Sequence, residues 1–164
     1  MLNYIGIDPG SKGAIAIIRE GGAGISITPV LIGGKDLDLA EIAKWLQAEL
    51  SMNNSKWRTQ TIACIEKAHA MPGQGVSSMF SFGFTTGALH GILATLGISY
   101  NVVAPQTWKK VILVDTTKDK VAAVDYCRKA YPYVSLLQTP RCKKAHDGMA
   151  DALCIATYCR LKYK

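Results

Sequence analysis

Residues 2–30, LNYIGIDPGSKGAIAIIREGGAGISITPV, decide the fold. Leu2–Ile7 is a short apolar run that stops at Asp8-Pro9-Gly10-Ser11, a turn by composition. Gly13–Ile18 is a second apolar run, Gly21-Gly22 a second turn, and Ile25–Val30 alternates as a third strand. The three runs predict a β-meander whose first turn carries an acid. Downstream, Asp38–Leu50 has apolar residues at 39, 42, 43, 46 and 50, the period of an amphipathic helix, with Asp36 or Asp38 as its cap. Thr61–Ile65 reads as a strand ending at Glu66. Strand, helix and strand in that order predict a right-handed crossover and a parallel pair.

The rest of the chain extends this plan. Ser77–Leu96 reads as a helix and Ser99–Val103 as a strand that Pro105 ends. Lys118–Tyr131 is predicted helical, with Val121, Val124, Cys127 and Ala130 inward. Thr139–Ala145 is a basic loop, and Asp147–Leu161 is the last helix, with Ala150, Leu153, Cys154 and Thr157 at helical spacing. There is no repeat and no linker, so residues 1–164 are expected to form one α/β domain with a mixed sheet.

Composition excludes several classes. The chain is 49% hydrophobic and 19% charged, which a disordered chain is not. The net charge is +7, and all of the excess lies in residues 101–164, which hold 12 basic and 5 acidic side chains. Such asymmetry favours a polyanionic partner, nucleic acid before an anionic membrane surface, against the plainer reading of a lysine-rich solvated face. Cys64, Cys127, Cys142, Cys154 and Cys159 are odd in number and scattered, which fits reduced thiols and a cytoplasmic setting. Met1-Leu2-Asn3-Tyr4 has no basic n-region followed by an apolar h-region, so no signal peptide is expected. Residues 68–108 lack Asp, Glu, Lys and Arg, but Gly, Ser and Thr interrupt them, so they are expected to be buried or interfacial and no membrane is involved.

Four acids carry the chemistry. Asp8 and Glu66 each close a strand; if those strands are parallel, both emerge at the edge where open α/β sheets place their sites. Tyr4, Gly6 and Asp8 share one face by alternation, as do Ile62, Cys64 and Glu66. Asp147 and Asp151 are four apart on one helix face, where like charges repel unless a cation sits between them. Oxygen-only ligands of this kind suit Mg²⁺, with Mn²⁺ as a substitute, rather than zinc. Paired ions of that type activate water against a phosphodiester. The plainer roles are a turn residue for Asp8, a surface partner of Lys67 for Glu66, and a helix N-cap for Asp147. Asp151, flanked by apolar neighbours, has no such plain role.

With these acids in place, the chain resembles a known family. Gly6-Ile7-Asp8-Pro9-Gly10-Ser11 looks like the opening of the RuvC-type Holliday junction resolvases, within the ribonuclease H-like superfamily. Ile65-Glu66-Lys67 resembles the family's second acidic motif. Ala104-Pro105-Gln106-Thr107-Trp108-Lys109-Lys110 resembles the segment after a later strand. His146-Asp147-Gly148-Met149-Ala150-Asp151-Ala152-Leu153 resembles the last acidic motif. The resemblance implies a ribonuclease H-like fold with a mixed five-stranded sheet. It also implies a homodimeric, Mg²⁺-dependent endodeoxyribonuclease that makes paired nicks in four-way DNA junctions, with no small-molecule cofactor. Asp8, Glu66, Asp147 and Asp151 would be its catalytic residues and metal ligands. The last two acids stand four apart, as in the phage and organelle branch, whereas bacterial members have them three apart; this leaves the parts of Asp147 and His146 open. Where the bacterial pattern has an aromatic wedge, this chain has His69, followed by Ala70 and Met71.

Candidate DNA contacts are Lys67, His69, Lys109, Lys110, Lys118, Lys120, Arg141, Lys143 and Lys144. Gly83, Gly87 and Gly91 form a bare stripe, to be packed either on the chain's own sheet or on a twin helix, with Phe80, Phe82, Phe84 and Leu89 supplying apolar area. Three other readings stand beside the resolvase: a nuclease for flaps, hybrids or branched DNA in general, a non-catalytic branched-DNA-binding protein, and a phosphotransferase with an actin-like first phosphate loop. The last needs two lobes, for which 164 residues are too few.

Overall fold

The computed structural model describes residues 2–22, 24–30, 37–52, 56–69 and 73–164. Asp36, named above as a cap candidate, and Ala70 and Met71, which follow His69, lie outside them. Strands β1 (Asn3–Asp8), β2 (Ala14–Arg19) and β3 (Ile25–Pro29) form the meander. Helix α1 (Leu39–Ser51) crosses to β4 (Thr61–Glu66), and α2 (Val76–Thr95) crosses to β5 (Ser99–Val103). Helices α3 (Pro105–Ile112), α4 (Lys120–Ala130) and α5 (Asp147–Tyr163) complete the chain. The sheet order is β3-β2-β1-β4-β5; β1 is antiparallel to β2 and parallel to β4, and β4 is parallel to β5. Asp38 caps α1, accepting from the Glu41 amide at 3.0 Å.

The strand alternation sorts the core into two layers. Ile5, Ile7, Ile15, Ile17, Ala63 and Ile65 face α1 and α2. Tyr4, Ala14, Ala16, Ile18 and Cys64 face α5, which α3 and α4 cover from outside. Much of the second face is built from small residues, Gly6, Ala14, Ala16 and Cys64, because α5 lies close to it. A Cβ on Gly6 would stand 2.1 Å from both the Ala152 oxygen and the Ala156 nitrogen, so only glycine fits. Helix α5 is therefore buried from Gly148 to Cys159 except at Asp151, which explains why no single apolar stripe marks it.

Three expectations change. Helix α3 was not predicted; Pro105 starts it at the first-turn position, where a missing N–H costs nothing, instead of merely ending β5. In α4 the inward residues are Ala123, Val124 and Cys127, whereas Val121 and Ala130 are exposed, because α4 meets α5 along a narrow seam. In α2 the glycine stripe does not pack on the sheet. Among the described residues, a Cβ at Gly83, Gly87 or Gly91 would meet nothing within 4 Å, while Leu89, expected to supply apolar area beside the stripe, is buried in the core. All five cysteines are free thiols. Among the described residues no helix is long and apolar enough to cross a membrane.

Candidate functional site

Parallel pairing of β1 with β4 sets Ile7 beside Ile65, so Asp8 and Glu66 leave the sheet at the same edge. Helix α5 crosses that edge with Asp151 one turn inside its start. Two close contacts hold the corner. A Cβ on Gly148 would stand 2.0 Å from the Lys12 oxygen, and one on Gly13 would stand 2.0 Å from the Asp8 oxygen. The loop 9–13 therefore seats directly on the first turn of α5, which draws Asp8 towards Asp151.

The electrostatics of the three acids record that convergence. Burial pushes the Asp151 carboxyl up to about 7, and the negative charges of Asp8 and Glu66 add to the rise. Glu66 is raised by burial and by Asp8, against the Trp108 indole N–H, which donates to its Oε2 at 2.6 Å. Asp8 is raised by burial despite the Gly10 amide donating to its Oδ1 at 3.3 Å. Glu66 thus has a buried indole as its partner and is not the surface partner of Lys67. Asp8 does serve its turn while facing the other acids.

Asp147 differs from the three. His146 takes the N-cap position, its Nδ1 accepting from the Met149 amide at 3.2 Å, and Asp147 opens the helix. Its Oδ2 pairs with Lys120 Nζ at 3.1 Å, and the carboxylate is 46% exposed. It lines, with Asp8, Asp151, His146, Lys120 and Lys144, a cavity of about 580 Å³ at this edge.

The predicted basic residues divide. Lys109 acts on Asp8, Glu66 and Asp151, and Lys120 on Asp8 and Asp151, each favouring the ionised acids. His69 acts on Glu66 from an exposed position, with its Nδ1 3.5 Å from the Lys67 oxygen. Lys67, Lys110, Lys118, Arg141 and Lys143 are exposed and lie outside the cavity wall. Sequence reasoning missed Lys12, Ser78 and Phe82, which line the cavity, and the Trp108–Glu66 bond. Lys12 was legible from its place in the acid-bearing turn; Ser78 and Phe82 depend on where α2 docks.

In donor chemistry the site suits a hard divalent cation. The ligands are oxygen only, three acids oppose one another, and no ion pair neutralises Asp8, Glu66 or Asp151 among the described residues. The side chains stand open: among the described residues no three His, Cys, Asp or Glu groups are close enough to hold one ion.

No family model matches the sequence, and no curated protein does. Solved structures do. RuvC of T. thermophilus in complex with Holliday junction substrate aligns over 99% of this chain and 97% of its own, with 16% identity and a TM-score of 0.62. A further Thermus thermophilus RuvC structure aligns over 98% and 97%, with 17% identity and a TM-score of 0.52. The yeast mitochondrial Holliday junction resolvase Ydc2 aligns over 93% and 75%, with 15% identity and a TM-score of 0.47, too loose to inform the comparison. The chain has the ribonuclease H-like fold in its RuvC form.

Proposed function

We propose that the chain is a structure-selective endodeoxyribonuclease that resolves four-way DNA junctions by paired, Mg²⁺-dependent nicks. The observation that supports this reading is that Asp8 and Glu66, at the ends of two parallel strands, and Asp151, on the crossing helix, share one edge of the sheet and act on one another's charge, beside a lysine-bearing cavity wall. Asp8, Glu66, Asp147 and Asp151 would hold the ions, Mg²⁺ or in its place Mn²⁺. When bound, such ions activate a water and neutralise charge building on the phosphodiester. The chain's own groups do the positioning. Trp108 fixes one oxygen of Glu66 through a buried N–H. Lys109 and Lys120 favour the ionised acids, and Lys12 and Lys144 offer cations to the phosphate backbone at the cavity wall. Products would be ligatable 5′-phosphate and 3′-hydroxyl ends.

Paired nicks call for two sites. The exposed Gly83, Gly87 and Gly91 face, flanked by Phe80 at 75% and Phe84 at 56% exposure, supports a homodimer through α2. A non-catalytic branched-DNA-binding protein is the second reading, favoured by the open spacing of the acids. A panel of four-way junction, three-way junction, flap, RNA–DNA hybrid and duplex, at equal salt with Mg²⁺, separates them. Asp8→Asn and Glu66→Gln are expected to slow nicking by about a thousandfold or more, while junction binding changes little. Normal cutting by both variants refutes the assignment, and an uncut junction bound tightly by the native chain selects the second reading.

A further inference from the structure

Helix α2 reaches past the sheet on which it packs. Its buried stripe runs Thr85, Thr86, Leu89 and Leu93, and Leu89 and Leu93 belong to the core layer between the sheet and the first two helices. Continued towards the N-terminus at helical spacing, the same stripe carries Phe82 and Ser78. These two side chains line the acid-bearing cavity, with Asp8, Asp151 and Lys12. Phe82 is half-buried, yet it packs in neither core layer. Of the three phenylalanines in the chain, Phe80 and Phe84 lie on the exposed face of α2, and Phe82 lies at the cavity.

A smaller cleft of about 350 Å³ opens from this wall. Ser11, Ser77, Ser78, Ser81 and Phe82 line it, and Ser11, Ser78 and Phe82 line the acid-bearing cavity as well. Among the described residues, no charged side chain lines the cleft, and none of its four serine hydroxyls has a hydrogen-bond partner. A phosphate is drawn to Lys12, Lys120 and Lys144 in the larger cavity, not to an uncharged cleft. A nucleobase suits the cleft better. It has a flat π-face for the Phe82 ring, and its polar edge holds donors and acceptors that hydroxyls satisfy in either sense. The shared wall sets the occupant of the cleft next to whatever the acids hold.

We propose that the cleft takes one unpaired nucleobase of the bound DNA, stacked on Phe82 and contacted at its edge by Ser78 and Ser81, beside the phosphate at the acids. The inference rests on the nuclease reading for its DNA and adds the residues that select the nucleotide at the cut. The test is anisotropy titration, in EDTA, of a four-way junction with one abasic nucleotide, moved stepwise outward from the crossover. One position is expected to weaken binding about tenfold, the loss of one base–aromatic stack. Phe82→Leu keeps apolar bulk without the π-face. It is expected to bind the intact junction about tenfold more weakly and to show no further loss at that position, and Phe82→Trp should restore both behaviours. Ser78→Ala with Ser81→Ala, both at exposed positions, is expected to even out the affinities of four junctions that differ only in that base. This pair and the abasic scan of the native chain keep the test readable if Phe82→Leu unfolds. The proposal is overturned if no abasic position costs the native chain more than about twofold, or if folded Phe82→Leu keeps the native position dependence. A junction that shows the abasic effect but stays uncut in Mg²⁺ supports the cleft and removes the nuclease reading. Cutting without any abasic effect does the reverse.

Discussion

Replacing Asp151 by asparagine is expected to stabilise the protein at neutral pH while removing the chemistry proposed for it. Burial and the charges of Asp8 and Glu66 raise the Asp151 carboxyl from 3.8 to about 7. A rise of about three units, at about 1.4 kcal/mol each, sets about 4 kcal/mol against the ionised form in the folded state. The direction with pH follows. Between about pH 4 and 7 the folded chain keeps a proton that the unfolded chain has released, so stability falls as pH rises and then levels off above the folded value. Asp151→Asn has nearly the same shape and no charge. At pH 8 it should gain up to about 4 kcal/mol, or roughly 10 °C in melting temperature for a domain of this size. At pH 4 the two chains should melt together. Circular dichroism melts in EDTA from pH 4 to 8 read the gap directly. A variant that melts no higher than the native chain at pH 8, or a gap that does not change with pH, refutes the electrostatic convergence of the three acids. Added Mg²⁺ is expected to raise the native chain more than the variant.

Three other outcomes follow from named contacts. Gly6→Ala should destabilise by about 3 kcal/mol or more, since its Cβ would meet fixed backbone of α5, and urea titration measures the loss. Trp108→Phe removes the N–H that favours ionised Glu66, so the acid limb of the pH–rate profile for nicking should move to higher pH; an unmoved limb means that bond does not tune Glu66. Phe80→Ser with Phe84→Ser should lower the association state seen by analytical ultracentrifugation and leave the fold intact, because both rings are exposed on the single chain.

The β-meander, the parallel pairing and the edge position of Asp8 and Glu66 were legible in the sequence, because period-two runs and turn residues are local signals and a strand–helix–strand crossover leaves few topologies; the full order of the five strands came with the structure. Helix α3 was not legible: Pro105 reads equally as the end of a strand and as the first residue of a helix, and only docking of the buried Trp108 decides between them. The inner face of α4 was half legible, since helical period gives a stripe but not its centre, and the seam with α5 placed it at Ala123, Val124 and Cys127.

At the site the division is the same. Sequence determined which residues carry charge and which strand ends bear acids. The apolar neighbours of Asp151 already set it apart in the sequence, but only the tertiary structure showed how: both acids lie on the first turns of α5, and the charges of Asp8 and Glu66 act on Asp151 while Asp147 pairs with Lys120. Among the described residues, it likewise left the glycine face of α2 uncovered and the Tyr4 hydroxyl without a partner. Periodicity and turn chemistry act between near neighbours along the chain. Burial, shared charge and unpaired donors are properties of groups that meet only once the chain has closed on itself.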